Sequence, residues 1–125
     1  MKPHEEWIFK AGHDLESSKA LLQATNPLLD IAIYHTQQCA EKSLKAFMAF
    51  HRMEISKIHN LKSLLEKCIE IDTSFDELFE DCIYLNPFST LYRYPEGDLM
   101  PMKEEVENAL ESALRIREFV GHKIK

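Results

Sequence analysis

At 125 residues the chain has the length of one domain and can bury a core without metal or disulfide support. Its 45% hydrophobic and 29% charged residues exclude a disordered polar chain, and 3 glycines against 125 positions favour long helices. The net charge of -6 excludes a protein that coats nucleic acid through bulk positive potential, although a local site needs only a few well-placed cations.

The first periodic segment covers about residues 4–24, with Trp7, Ile8, Ala11, Leu15, Ser18 and Leu22 on one flank. Asn26-Pro27 then reads as the cap and first turn of a second helix, which runs to about residue 52. Ile33, Gln37, Ala40, Leu44 and Phe47 form the core stripe of that helix. His35, Gln38, Lys42 and Lys45 fall on a neighbouring polar stripe.

Residues 53–58 make a connection, and His59-Asn60 opens a third helix to about residue 71 with Leu61, Leu64, Leu65, Cys68 and Ile69 on its apolar face. Ser74 and Glu77 have capping-box spacing for a fourth helix over Phe75, Leu78, Phe79, Cys82 and Ile83. Residues 86–101 read as mostly irregular chain carrying Tyr92-Arg93-Tyr94-Pro95, and loops of this length lean toward function. The last helix opens after Pro101 and stops near Gly121, with Glu104, Glu105 and Glu107 early and Arg115 and Arg117 late, matching the helix dipole. No segment reads as a strand. The expected fold is all-α, an up-and-down bundle of four or five helices in a single domain over residues 1–125.

Cys39, Cys68 and Cys82 are isolated, odd in number and without C-x-x-C spacing, which suits reduced thiols in a core and a cytoplasmic protein. No apolar run approaches the roughly 18 residues that span a bilayer. The acidic, amphipathic start does not read as a secretory leader.

Four blocks in order carry a resemblance: Trp7, Ala11 and Asp14-Leu15; then Tyr34-His35-Thr36-Gln37-Gln38-Cys39-Ala40-Glu41-Lys42-Ser43-Leu44-Lys45-Ala46; then His59-Asn60-Leu61; then Arg93-Tyr94-Pro95. Together they resemble the HEPN domain, the higher eukaryotes and prokaryotes nucleotide-binding family, over nearly the whole chain. The resemblance implies a helical bundle that often forms a two-fold homodimer. It also implies a separate minimal nucleotidyltransferase as partner, in some cases as a toxin–antitoxin pair.

A subset of that family cleaves RNA with an Arg followed four to six residues later by His. The bare spacing occurs here at Arg52 and His59, and at Arg115 or Arg117 with His122, but no His follows Arg93. A metal-independent endoribonuclease is therefore the alternative, and a purely structural dimerisation bundle a third reading. The expectation is a binding module with no catalytic residues.

Its expected site holds a nucleotide or RNA phosphate near Arg93 and Tyr94, with Lys42 and Lys45 adding charge and His35, Gln38 and His59 adding donors. The same residues admit plainer roles: tyrosines packing the loop, Arg93 on a carboxylate, Glu41 with Lys45 as an i,i+4 pair, Gln37 and Gln38 between helices, His59 as a cap. No metal site, cofactor motif or phosphate loop is visible. The acidic set Glu66, Glu70, Asp72, Asp76, Glu77, Glu80 and Asp81 reads as a solvated face, with a basic partner protein as the other use.

Overall fold

A computed structural model describes residues 1–55, 57–95 and 99–125. Its α-helices are α1 (Pro3–Gln23), α2 (Leu29–Phe50), α3 (Leu61–Ile71), α4 (Phe79–Leu85) and α5 (Lys103–Lys123). Turns of 3-10 helix, Thr73–Leu78 and Asn86–Ser89, flank α4. Among the described residues there is no strand, so the all-α bundle expected from the sequence is the fold observed. No helix among them is long and apolar enough to cross a membrane.

The centre of the bundle is α2, which packs against α1, α3, α4 and α5. Ile33, Gln37, Ala40, Leu44 and Phe47 are all buried, so the stripe read from the sequence does face the core. Burying a side chain of the size of Leu44 or Phe47 contributes roughly 2–3 kcal/mol each. Phe47 meets Phe75 at 4.2 Å between ring centroids, and Phe75 meets Phe119 edge-on at 4.9 Å, joining α2 to α5. All three cysteines are free and buried, and burial pushes the pKa of each thiol up to about 12.

Several boundaries differ from those read in the sequence. The second helix starts at Leu29, with Leu28 at its cap position and no capping side chain, so Asn26 lies in the preceding bend and Pro27 just after it. Starting there places Asp30 in the first turn, where its charge complements the helix dipole. The cap of α3 is Asn60, whose Oδ1 accepts from Ser63 N at 3.1 Å, rather than His59. The Ser74–Glu77 region winds as a 3-10 turn capped by Asp72, whose short side chain accepts both the amide and the hydroxyl of Ser74. The last helix runs through Gly121 to Lys123, which pairs with Asp72 at 2.9 Å. The stretch expected to be irregular after α4 begins with a 3-10 turn and continues in turns through Arg93, while residues 96–98 lie outside the described residues.

Candidate functional site

The polar stripe of α2 does not form one surface. A helix rises about 1.5 Å per residue, so ten positions between His35 and Lys45 amount to roughly 15 Å. Along that length the side chains divide between two buried carboxylates.

The first is Asp14 of α1, 6% exposed. Its Oδ1 accepts from His35 Nδ1 at 2.7 Å and its Oδ2 from Lys42 Nζ at 2.6 Å. A carboxylate withdrawn from water is costly unless each oxygen finds a donor, and α2 supplies both. Ser18, one turn further along α1, donates to the carbonyl of Ala32 at 2.7 Å and fixes the register of the two helices.

The second is Glu41, 4% exposed, whose Oε2 accepts from Lys45 Nζ at 3.1 Å and His59 Nδ1 at 3.0 Å. The Lys45 side chain is only 6% exposed, and its ammonium lies 5.6 Å from the centre of the Trp7 ring. Gln37 donates to the carbonyl of His59 at 3.2 Å, and Gln38 donates to Gln37 Oε1 at 2.8 Å. The glutamines therefore bind the connection between α2 and α3 to the bundle.

Arg93 stands at the other end of α2. Its guanidinium carbon lies 4.6 Å from the centre of the Tyr34 ring and 6.0 Å from that of Tyr94. It walls a cleft of about 350 Å³ lined also by Asp30, Ile31, Tyr34, His35 and Tyr92. Asp30, Tyr92 and Arg93 also line an adjoining depression of about 390 Å³ toward Tyr94, Pro95 and Met100. Among the described residues no carboxylate lies within ion-pair distance of Arg93. The uncapped N-terminus of α2 opens beside this cleft, since Asp30 and Ile31 belong to its first turn.

The structure thus brings Arg93 and His35 together around Tyr34, with Tyr94 beside Arg93 in the adjoining depression. Lys42 connects to the group only through Asp14, which it shares with His35. Lys45, Gln38 and His59 gather around Glu41 and Gln37 instead, with no residue in the Arg93 cleft. Tyr92 takes the plainer role: its hydroxyl donates to Glu105 Oε1 at 2.7 Å and its ring stacks on Phe88. Withdrawal from water, and then that carboxylate, raise the Tyr92 hydroxyl to about 12.

Of the spacing-based Arg–His pairs, Arg115 and His122 line one depression of about 320 Å³ together with Asp81, whereas Arg52 and His59 are separated. His59 sits beside Glu41, whereas Arg52 lies eleven positions beyond Glu41 past the end of α2, roughly 16 Å at helical rise. Arg117 turns inward onto the carbonyl of Ile8, and Arg115 forks onto Asp81 at 2.7 and 3.1 Å. Within the acidic set, Asp72 and Asp81 are engaged by Lys123 and Arg115, while Glu66, Glu70, Asp76, Glu77 and Glu80 are exposed.

Sequence reading missed Asp14, Asp30 and Tyr34 as site residues. Asp14 had a signal: it lies three residues after Ala11 and four before Ser18, on the buried flank of α1. Tyr34 and Asp30 had none, because only the path of the connector after α4 brings Arg93 over them.

Comparison with known proteins decides the family. The profile of the HEPN domain matches residues 4–123. The chain belongs to the HEPN family. This HEPN domain is 32% identical to "Putative toxin MJ1304" of Methanocaldococcus jannaschii over 130 residues, covering 95% of this chain and 84% of the relative. It superposes on ST0689, an archaeal HEPN homologue, with a TM-score of 0.80 at 26% identity over 100% of both chains. On TT1696 of Thermus thermophilus the TM-score is 0.86 at 25% identity, covering 98% of this chain and 99% of the other.

Proposed function

We propose that this HEPN domain is a non-catalytic module that holds a nucleotide or RNA phosphate at Arg93, within a toxin–antitoxin-like pair. The observation that carries the reading is the Arg93 guanidinium laid over Tyr34 at the mouth of a cleft, with His35 beside it. A guanidinium offers paired N–H donors to a phosphate, and the exposed Tyr94 ring beside it offers a face on which a base can stack. His35 is held by Asp14 through Nδ1, which leaves Nε2 as its free nitrogen. Lys42 serves indirectly, by balancing the charge of Asp14, and Lys45 and His59 serve the loop that leads into α3.

The pairing part of the reading is supported by the relative named as a toxin. Its partner in this proposal is a minimal nucleotidyltransferase. A homodimer belongs to the proposal too, since Leu28, Ile31, Leu99 and Met100 are exposed apolar side chains near the cleft. The engagement of Arg115 by Asp81 and of Arg117 by the Ile8 carbonyl supports binding over RNA cleavage.

Thermal shift with nucleoside diphosphates and short RNA tests the reading. The expected result is a rise in melting temperature that Arg93→Ala abolishes and Lys45→Met preserves. A rise that survives Arg93→Ala contradicts it.

A further inference from the structure

We infer that the Arg93 cleft selects guanine nucleotides, with Asp30 reading the base. The inference rests on the phosphate-binding reading of Arg93 and adds the identity of the base.

Asp30 lines both depressions that flank Arg93, so any ligand that spans them passes its carboxylate. Among the described residues no hydrogen bond or ion pair engages that carboxylate. Of the other polar groups of the cleft, two are committed, while His35 Nε2 and the Tyr34 hydroxyl stay open to a ligand. The Tyr92 hydroxyl is committed to Glu105, the Tyr34 ring lies under Arg93, and His35 Nδ1 is committed to Asp14. The charged groups that remain are a donor-only group, Arg93, and an acceptor-only group, Asp30.

A phosphate is repelled by Asp30 and attracted by Arg93, so the ligand must carry its phosphate on one side and hydrogen-bond donors on the other. The two depressions, about 350 and 390 Å³, together have the volume of a small-ligand pocket. Among the common bases, only guanine presents two adjacent donors on one edge, N1–H and N2–H, which match the two oxygens of a carboxylate. Adenine and cytosine each place a ring acceptor beside their amino group, which would face a carboxylate oxygen. Uracil offers one N–H between two carbonyls. A site built around a charged acceptor discriminates strongly, because the wrong base leaves that acceptor desolvated and unpaired.

Carboxylates also hold ribose hydroxyls, so the experiment separates base from sugar. Calorimetric titration of the whole protein with GDP, IDP, ADP and 2′-deoxy-GDP is the test. GDP is expected to bind at least tenfold more tightly than ADP, with IDP, which lacks the N2 amine, between them and 2′-deoxy-GDP equal to GDP. Asp30→Asn is expected to reduce GDP to the ADP level while leaving ADP binding in place. Equal binding of GDP and ADP, lost in Arg93→Ala, overturns base reading and leaves the phosphate site standing. Equal binding of GDP and ADP with weakened 2′-deoxy-GDP overturns it in favour of ribose contact. No binding of any of the four overturns both.

Discussion

Gly12 and Arg117 occupy the same space where α5 crosses α1. A Cβ on Gly12 would lie 2.7 Å from Arg117 Nη2 and 3.1 Å from Cζ. The guanidinium fills that gap and donates through Nε and Nη2 to the carbonyl of Ile8 at 3.3 and 3.2 Å. Two opposed quantities follow. Alanine in place of a helical glycine gains about 1 kcal/mol, while a hydrogen bond from a charged donor is worth about 1.5–3 kcal/mol. Gly12→Ala is therefore expected to destabilise the native chain by about 1 kcal/mol and to stabilise an Arg117→Ala background by a similar amount. Urea denaturation of the double-mutant cycle reads this, and the same sign in both backgrounds contradicts it.

The Asp14 cluster carries an asymmetry. Lys42 and His35 both have side chains 27% exposed and can turn to water if Asp14 is removed, whereas the Asp14 side chain is 8% exposed and cannot. Lys42→Ala takes the donor from Oδ2 of a buried carboxylate, leaving only His35 on Oδ1, and is expected to cost about 3 kcal/mol. Asp14→Ala is expected to cost less, about 1–2 kcal/mol. Chemical denaturation of the two variants decides, and the reverse order contradicts the buried-charge account.

Arg52 follows α2 with φ of 56°, in the left-handed region. Its amide bonds to Ala49 and that of Met53 to Met48, the paired bonds of a Schellman ending whose left-handed position normally belongs to glycine. Arg52→Gly is expected to raise stability by about 0.5–1 kcal/mol with an unchanged denaturant slope. A loss of stability would show that the arginine side chain contributes a contact outweighing the backbone strain.

Acid sensitivity follows from Asp72. The Ser74 hydroxyl first, then Lys123 and the Ser74 amide, hold its carboxyl down at about 2. A carboxyl depressed by folding contributes its full stability above the ordinary carboxylate range and loses it as pH falls through the folded value, a window from about pH 4 to 2. Asp72→Asn is expected to flatten the melting temperature against pH across that window. An unchanged acid limb would contradict it.

Periodicity sufficed for the helices and for the α2 core stripe, since Ile33 to Phe47 recur at helical steps regardless of what packs on them. Family and fold were legible for the same reason: the four blocks lie on elements whose order the sequence preserves. The site was legible only in part. His35, Lys42 and Lys45 do share a stripe, but a stripe spans many ångströms, and each residue answers to the nearest buried carboxylate on another element. Asp14 divides the stripe at one end and Glu41 at the other. The boundary at α2 was misread because Asn26-Pro27 is a sound capping signal whose competitor, a start that puts Asp30 in the first turn, is equally local. Arg93 was found because an arginine between two tyrosines is conspicuous; its platform, Tyr34, depends on a connector path that local sequence does not encode.

In the proposed function, ligand phosphate is held at Arg93 beside the start of α2, away from the buried lysine of the Glu41 cluster. Amide chemical-shift mapping by NMR during titration with a nucleoside diphosphate tests this most directly. Shifts concentrated at Asp30, Ile31, Tyr34, His35, Tyr92 and Arg93 are the expected result. Shifts concentrated instead around Glu41, Lys45 and His59, or none at all at millimolar ligand, would contradict it.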